Sequence, residues 1–179
     1  MAVMRASRQR LRALVFAAVA SATVGWSARA QAPEASSPLA PLAFLAGDCW
    51  KGPFPDGKRY DEHCFEWFYD GQFLRDRHVV TGDERGYRGE TIYYWDPAAR
   101  QVHYIYFAAA GGVSRGSMHP DDGALRFPEE RYIGAGGKEE VYRSVWRPAG
   151  GDTYDVVTEA LLDGQWVEAW RIHMQRLPR

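Results

Sequence analysis

The sequence contains five histidines, the residue type best suited to bind a transition metal or to move a proton near neutral pH. They are His63, His78, His103, His119 and His173. Each falls on a different predicted strand or strand end, and no pair has the spacing of metal ligands on one element. The pattern therefore predicts no metal site, although histidines from separate strands could still converge in the folded chain.

Two further patterns resemble catalytic motifs. Ser114 lies in Gly-Val-Ser-Arg-Gly, which matches Gly-x-Ser-x-Gly, but no predicted helix follows it and a nucleophile elbow requires one. Glu129 and Glu130 are adjacent, as are Glu139 and Glu140, so on a strand each pair points to opposite faces. Neither pair forms an acid–base couple by itself. The sequence identifies no catalytic residue.

The two cysteines have a spacing that favours a disulfide. Cys49 and Cys64 flank Asp56-Gly57, a dipeptide typical of a hairpin turn. If Pro55 pairs with Lys58 across that turn, the same register places the two cysteines directly opposite each other. Opposed residues of antiparallel strands lie within disulfide range. We therefore predict a Cys49–Cys64 disulfide, which an oxidising compartment permits.

Residues 1–30 have the order of a secretory signal peptide. A basic start is followed by an apolar run over residues 14–24 and by Ala28-Arg29-Ala30, a small-x-small cleavage site. The apolar run is too short to remain in a bilayer as a spanning helix. We expect a soluble periplasmic or secreted protein that begins at Gln31, with no membrane insertion after processing.

Removal of this segment changes the charge of the chain. It holds five of the 22 Lys and Arg residues and none of the 23 Asp and Glu residues, so 17 basic residues remain against 23 acidic ones and the formal net charge is −6. An acidic chain does not attract nucleic acid or an anionic membrane surface. We therefore expect neither of them as a partner.

The rest of the chain has the pattern of a β protein. Residues 31–38 are predicted to be a flexible leader, and residues 39–46 a short helix or turn. Short aromatic and β-branched runs follow, each bounded by turn residues such as Asp-Gly, and no long window has a helical period. The predicted strands are 48–54, 59–69, 73–81, 87–96, 101–108, 113–119, 124–133, 139–147, 153–162 and 165–176. Residues 39–179 are thus predicted to form a single all-β domain. It is an antiparallel up-and-down barrel of about ten strands, with an open sandwich as the alternative.

Four segments carry a resemblance to a known family. They are residues 44–52 (FLAGDCWKG), 61–66 (DEHCFE), 71–78 (GQFLRDRH) and 111–116 (GGVSRG). They resemble the DUF1579-like group of calycin-type exported bacterial proteins, which open with Phe-Leu-x-Gly and a tryptophan on the first strand. The resemblance implies a calycin-like barrel and brings no established activity with it.

A second resemblance is to the nitrobindin-like haem barrels. Trp50-Lys51-Gly52 matches the middle of their opening motif, Gly-x-Trp-x-Gly-x-Gly. Those proteins hold haem iron through a histidine near the C-terminus. The resemblance implies that His173, on the last predicted strand, is a candidate haem ligand.

A barrel of ten strands is wide enough to hold a ligand-sized cavity, and aromatic side chains make suitable walls for an apolar ligand. We therefore expect an exported barrel that binds a small, largely apolar molecule without catalysis and without a cofactor. The alternatives are haem binding through His173, an enzyme on a calycin scaffold that uses buried Arg, Tyr or His, and an envelope interaction protein without a ligand. The candidate ligand-binding residues are Trp50, Trp67, Arg75, Arg77 and Arg171.

Overall fold

Ten antiparallel strands form a closed barrel in the computed structural model, which describes residues 37–83 and 86–178. Each strand pairs with its neighbours in chain order, and the first strand pairs with the last. The strands are β1 (Cys49–Pro53), β2 (Tyr60–Phe68), β3 (Phe73–Thr81), β4 (Arg88–Asp96), β5 (Gln101–Ala108), β6 (Val113–Asp121), β7 (Ala124–Ile133), β8 (Glu139–Gly150), β9 (Thr153–Leu162) and β10 (Gln165–Arg176). The predicted all-β, ten-stranded up-and-down barrel is confirmed.

The predicted signal peptide and residues 31–36 of the predicted leader lie outside the described residues. Within the described ranges, no helix is long and apolar enough to cross a bilayer.

Asp-Gly turns set the register of several hairpins. Asp122 and Gly123, between β6 and β7, have φ angles of 48° and 70°. Two consecutive residues at positive φ define the type I′ turn, whose twist matches that of the flanking strands. Asp163 and Gly164 repeat this geometry between β9 and β10. The turn dipeptides therefore fix both strand order and pairing in these two hairpins.

The first hairpin has the register that the cysteine spacing predicts. Cys49 faces Cys64 across β1 and β2, and the two residues form a disulfide with a Cα–Cα distance of 4.0 Å. Pairing continues without a shift to Pro53 and Tyr60. The predicted disulfide is confirmed, and it joins β1 to β2 at the end of the barrel where β1 begins.

An N-terminal plug (residues 39–46) closes that same end of the barrel. It contains a 3-10 turn over Ala40–Leu42, and the side chains of Leu39, Leu42 and Leu45 are almost fully buried in the core. The indole Nε1 of Trp50 donates a hydrogen bond of 3.0 Å to the carbonyl oxygen of Leu45. Burial contributes about 1.5–3 kcal/mol for each leucine. The plug thus seals the interior at one end, which we call the plugged end.

A bulge in β10 changes which tryptophans face the interior. Pairing with β9 shifts between Glu168 and Trp170, so that Ala169 is an extra residue. Trp166 lies on the outer face, 4.6 Å from the guanidinium of Arg143. Trp170 packs against the core from inside. Strict alternation, which puts both tryptophans on one face, is wrong for this strand because of the bulge.

Candidate functional site

The interior changes character toward the end opposite the plug, which we call the mouth. Most core side chains at the plugged end are aliphatic or aromatic, with the buried Asp48 paired there with Arg176, whereas those near the mouth include two imidazoles and several carboxylates. Several of the mouth residues remain partly exposed to solvent although they belong to inward-facing positions. The mouth residues used below are Phe54, Asp61, His63, His78, Tyr106, Glu130, Tyr142 and Trp170.

Strand geometry brings two histidines together inside the barrel. His63 on β2 is directly opposite His78 on β3. Their rings stack with centroids 4.4 Å apart and planes 13° from parallel. Asp61 precedes His63 by two residues, and Asp76 precedes His78 by two, so all four side chains share the inner face. We call these four residues the histidine–carboxylate cluster.

Hydrogen bonds connect the whole cluster. Nδ1 of His63 donates to Oδ2 of Asp76 at 2.8 Å, and Nε2 of His63 lies 3.3 Å from Oδ2 of Asp61. Nε2 of His78 is in close contact with Oδ1 of Asp61. His63 therefore has a carboxylate at each ring nitrogen, and Asp61 spans the two imidazoles.

These contacts determine the charge states. Burial disfavours the imidazolium of His63, but the carboxylates of Asp76 and Asp61 outweigh it and hold the pKa of His63 well above its usual value. Burial likewise disfavours the Asp61 carboxylate, yet His63 and His78 hold the pKa of Asp61 far below its ordinary value. At neutral pH the cluster thus contains an ionised Asp61 beside a protonated His63.

One carboxylate oxygen of Asp76 takes no part in these contacts. The residue is 1% exposed, and its Oδ1 has no hydrogen-bond partner among the described residues. A buried polar atom without a partner costs about 1–3 kcal/mol, and more when the group is charged. Such an atom is uncommon in a folded interior and therefore calls for an explanation.

A second polar group is formed by side chains of β5, β6 and β7. Oε1 of Glu130 accepts a 2.6 Å hydrogen bond from Oγ of Ser114, and Oε2 accepts one of 3.1 Å from the hydroxyl of Tyr104. Burial raises the pKa of Glu130, and these two hydrogen bonds oppose that rise only in part. Ser114 is 1% exposed and its hydroxyl donates to a carboxylate, so a substrate cannot reach this hydroxyl from solvent.

Aromatic rings surround the cluster. Trp146 on β8 contacts His63 across the barrel, with ring centroids 6.0 Å apart. Tyr87 and Tyr106 lie 5.6 and 6.1 Å from the ring of His78. Burial raises the pKa of Tyr87 to about 12, so this phenol remains protonated at neutral pH and can donate a hydrogen bond. The cluster is thus a charged, hydrogen-bonded centre within aromatic walls.

The candidate residues taken from the sequence lie elsewhere. Trp50 and Trp67 are buried at 1% and 7% exposure and belong to the packed core. The three arginines are on the outer surface: Arg75 pairs with Glu66, Arg171 pairs with Glu168, and Arg77 is exposed. The structure therefore brings none of these three arginines to the mouth.

His173 also faces outward. Its side chain is 60% exposed and forms a hydrogen bond of 2.7 Å with Asp155. The residues before and after it in the sequence, Ile172 and Met174, are buried. A haem ligand inside the barrel requires the opposite orientation. The structure gives no support to haem binding in the interior through His173.

The histidine–carboxylate cluster has a signal in the sequence. Asp61-Glu62-His63 and Asp76-Arg77-His78 are two Asp-x-His segments on consecutive strands, joined by the Asp70-Gly71 turn. The register of that hairpin pairs His63 with His78. Counting residues outward from this turn, as for the cysteines, places the histidines opposite each other.

Comparison of the sequence with protein-family models and with curated proteins finds no match. The fold and the site define a closed ten-stranded barrel that is plugged at one end and has a histidine–carboxylate cluster inside the other.

Proposed function

We propose that the protein is an exported barrel that binds a small molecule at its mouth without transforming it. The signal-like N-terminus and the Cys49–Cys64 disulfide support export, since such bonds persist in oxidising compartments. The resemblance to DUF1579-like calycin-type exported proteins agrees with the exported-barrel part of the proposal.

One observation carries the proposal: a group of inward-facing aromatic side chains near the mouth is partly exposed to solvent. Phe54, Tyr142 and Trp170 are only partly buried, and Trp170 contacts each of the other two at ring-centroid distances of 6.2 and 5.8 Å. At the plugged end, Trp50 and Tyr154 are 1% and 0% exposed. Partly exposed rings inside a barrel form the kind of surface that an apolar ligand covers.

The polar groups at the same end narrow the ligand class. A molecule seated against Trp170 and Tyr142 lies within the barrel section that also contains the histidine–carboxylate cluster and Glu130. We propose a ligand with a flat apolar body and a hydrogen-bonding or charged end directed at the cluster. This ligand is more polar than the largely apolar one that the sequence alone suggests.

Native mass spectrometry of the mature chain, purified from an oxidising compartment, tests the proposal. We expect a retained organic molecule or, after its removal, binding of an aromatic fluorescent probe at a stoichiometry of one. Trp170→Ala should weaken binding roughly tenfold or more, as expected when a buried aromatic contact worth about 1.4 kcal/mol is lost.

Trp166→Ala is the matched control, because Trp166 lies on the same strand with its side chain on the outer face. It should bind like the wild type. Equal binding by the two variants, or no binding by a folded wild-type chain, would contradict the proposal.

A further inference from the structure

We propose that the histidine–carboxylate cluster binds one divalent first-row transition metal ion, with Asp61, His63 and His78 as its protein ligands. This inference goes beyond small-molecule binding and does not depend on it, because the three ligands belong to β2 and β3 alone.

The donor atoms are already gathered. One ligand atom from each of Asp61, His63 and His78 lies within 4.8 Å of the other two. Ligands of a tetrahedral zinc ion, bound at about 2.0–2.2 Å, are about 3.3 Å apart, so small side-chain rotations are enough to close the site. The backbone needs no change, because both histidines are held in register by the β2–β3 ladder.

The types of donor select the metal class. Two imidazoles and one carboxylate suit Zn²⁺, Fe²⁺, Co²⁺ and Cu²⁺, whereas Ca²⁺ and Mg²⁺ prefer oxygen ligands alone. Three protein ligands leave at least one coordination position open. His63 and His78 have side-chain exposures of 13% and 15%, so solvent or a bound molecule can reach the ion from the mouth.

Asp76 provides the support that metal-binding histidines usually have. It accepts a hydrogen bond from Nδ1 of His63, which leaves Nε2 directed at Asp61. A metal-bound histidine commonly donates the N–H of its other ring nitrogen to a carboxylate, and this hydrogen bond fixes the tautomer and the ring orientation. The buried Oδ1 of Asp76, which has no hydrogen-bond partner among the residues that the structure describes, adds negative charge beside the site, and a bound cation offsets that charge.

The surface contains a pair that resembles part of the cluster and provides a control. Nδ1 of His173 contacts Oδ1 of Asp155 at 2.7 Å, the same kind of bond that joins His63 to Asp76. This pair is about half exposed. His173 therefore tests whether any histidine–carboxylate pair on this protein retains a metal.

Calorimetric titration with Zn²⁺ and the visible spectrum of added Co²⁺ test the inference. The protein is the mature chain without an affinity tag, since a histidine tag binds the same ions, and it is first dialysed against a chelator. We expect one ion per chain and Co²⁺ absorption bands typical of nitrogen and oxygen ligands. His78→Gln should abolish the bands, and Asp76→Asn should weaken Zn²⁺ binding roughly 10–100-fold.

His173→Ala should bind both ions like the wild type. Circular dichroism establishes that each variant is folded, and Asp61→Asn provides a second ligand variant if His78→Gln is not. The inference is overturned if the folded wild type binds neither ion, or if binding survives both ligand variants. Neither result affects the small-molecule proposal, which is read from the mass of an organic ligand.

Discussion

Replacing His63 by glutamine should change both the stability of the barrel and its dependence on pH. His63 separates two carboxylates, Asp61 and Asp76, which are 8% and 1% exposed. Glutamine keeps a hydrogen-bonding group but removes the positive charge. Removing one partner of a buried charge pair costs about 3–5 kcal/mol, because the charge left behind remains uncompensated. We expect a loss of this size near pH 6.

The sign of the pH dependence follows from the direction of the pKa shift. The pKa of His63 is raised in the folded state, so its contribution is complete below the unfolded value of about 6.5 and is lost as pH rises toward the folded value. Over that window the wild type should lose about 1.4 kcal/mol per pH unit from this group. His63→Gln lacks the group and should lack this part of the slope.

Urea denaturation of the chelator-treated, metal-free chain, followed by tryptophan fluorescence between pH 5.5 and 9, measures both effects. His173→Gln is the control, because its side chain is 60% exposed and its loss should change stability little. The free energies of unfolding of the wild type and His63→Gln should converge as pH rises. Parallel curves would refute the assignment of a protonated His63 between two carboxylates.

Two further predictions concern the frame that holds the site. Gly116→Ala should destabilise the barrel by about 1–3 kcal/mol, because the added Cβ would clash with the buried ring and hydroxyl of Tyr104. Gly136→Ala is the control, because its Cβ would meet no atom of the described residues within 4 Å, and equal urea midpoints for the two variants would contradict the reasoning. The Cys49–Cys64 disulfide joins residues 15 positions apart in the sequence, and its reduction should lower the free energy of unfolding by about 3 kcal/mol in the same assay. An unchanged urea midpoint would show that the bond contributes nothing to stability.

Local turn chemistry made the hairpins predictable. Counting outward from Asp56-Gly57 gives the pairing of Cys49 with Cys64, and the barrel follows from repetition of such hairpins along the chain. The position of the extra residue in a bulge is not encoded in this way. Pairing shifts between Phe127 and Glu130, so both residues face inward although three positions separate them.

The site was harder to predict because it depends on which face of each strand points inward. Several strands have polar residues on both faces, so alternation alone did not distinguish Arg75 and Arg77, which face out, from Asp76 and His78, which face in. The inward-facing side chains make contacts across the barrel, such as that of His63 with Trp146, which join residues far apart in the sequence. The sequence therefore suggests Arg75 and Arg77 as candidate ligand-binding residues, although both face outward.

The pairing of β1 with β10 has a consequence for how the closed barrel forms. Only two residue pairs, Trp50 with Arg176 and Lys51 with Gln175, join these strands, which lie near opposite ends of the described chain. Every other strand pair is a local hairpin, whereas this seam requires the closure of almost the whole domain into a loop. We expect the seam to assemble last and to exchange its amide hydrogens first. Until it closes, the mouth has no far wall, so the ligand site that we propose there can form only in the final step of folding.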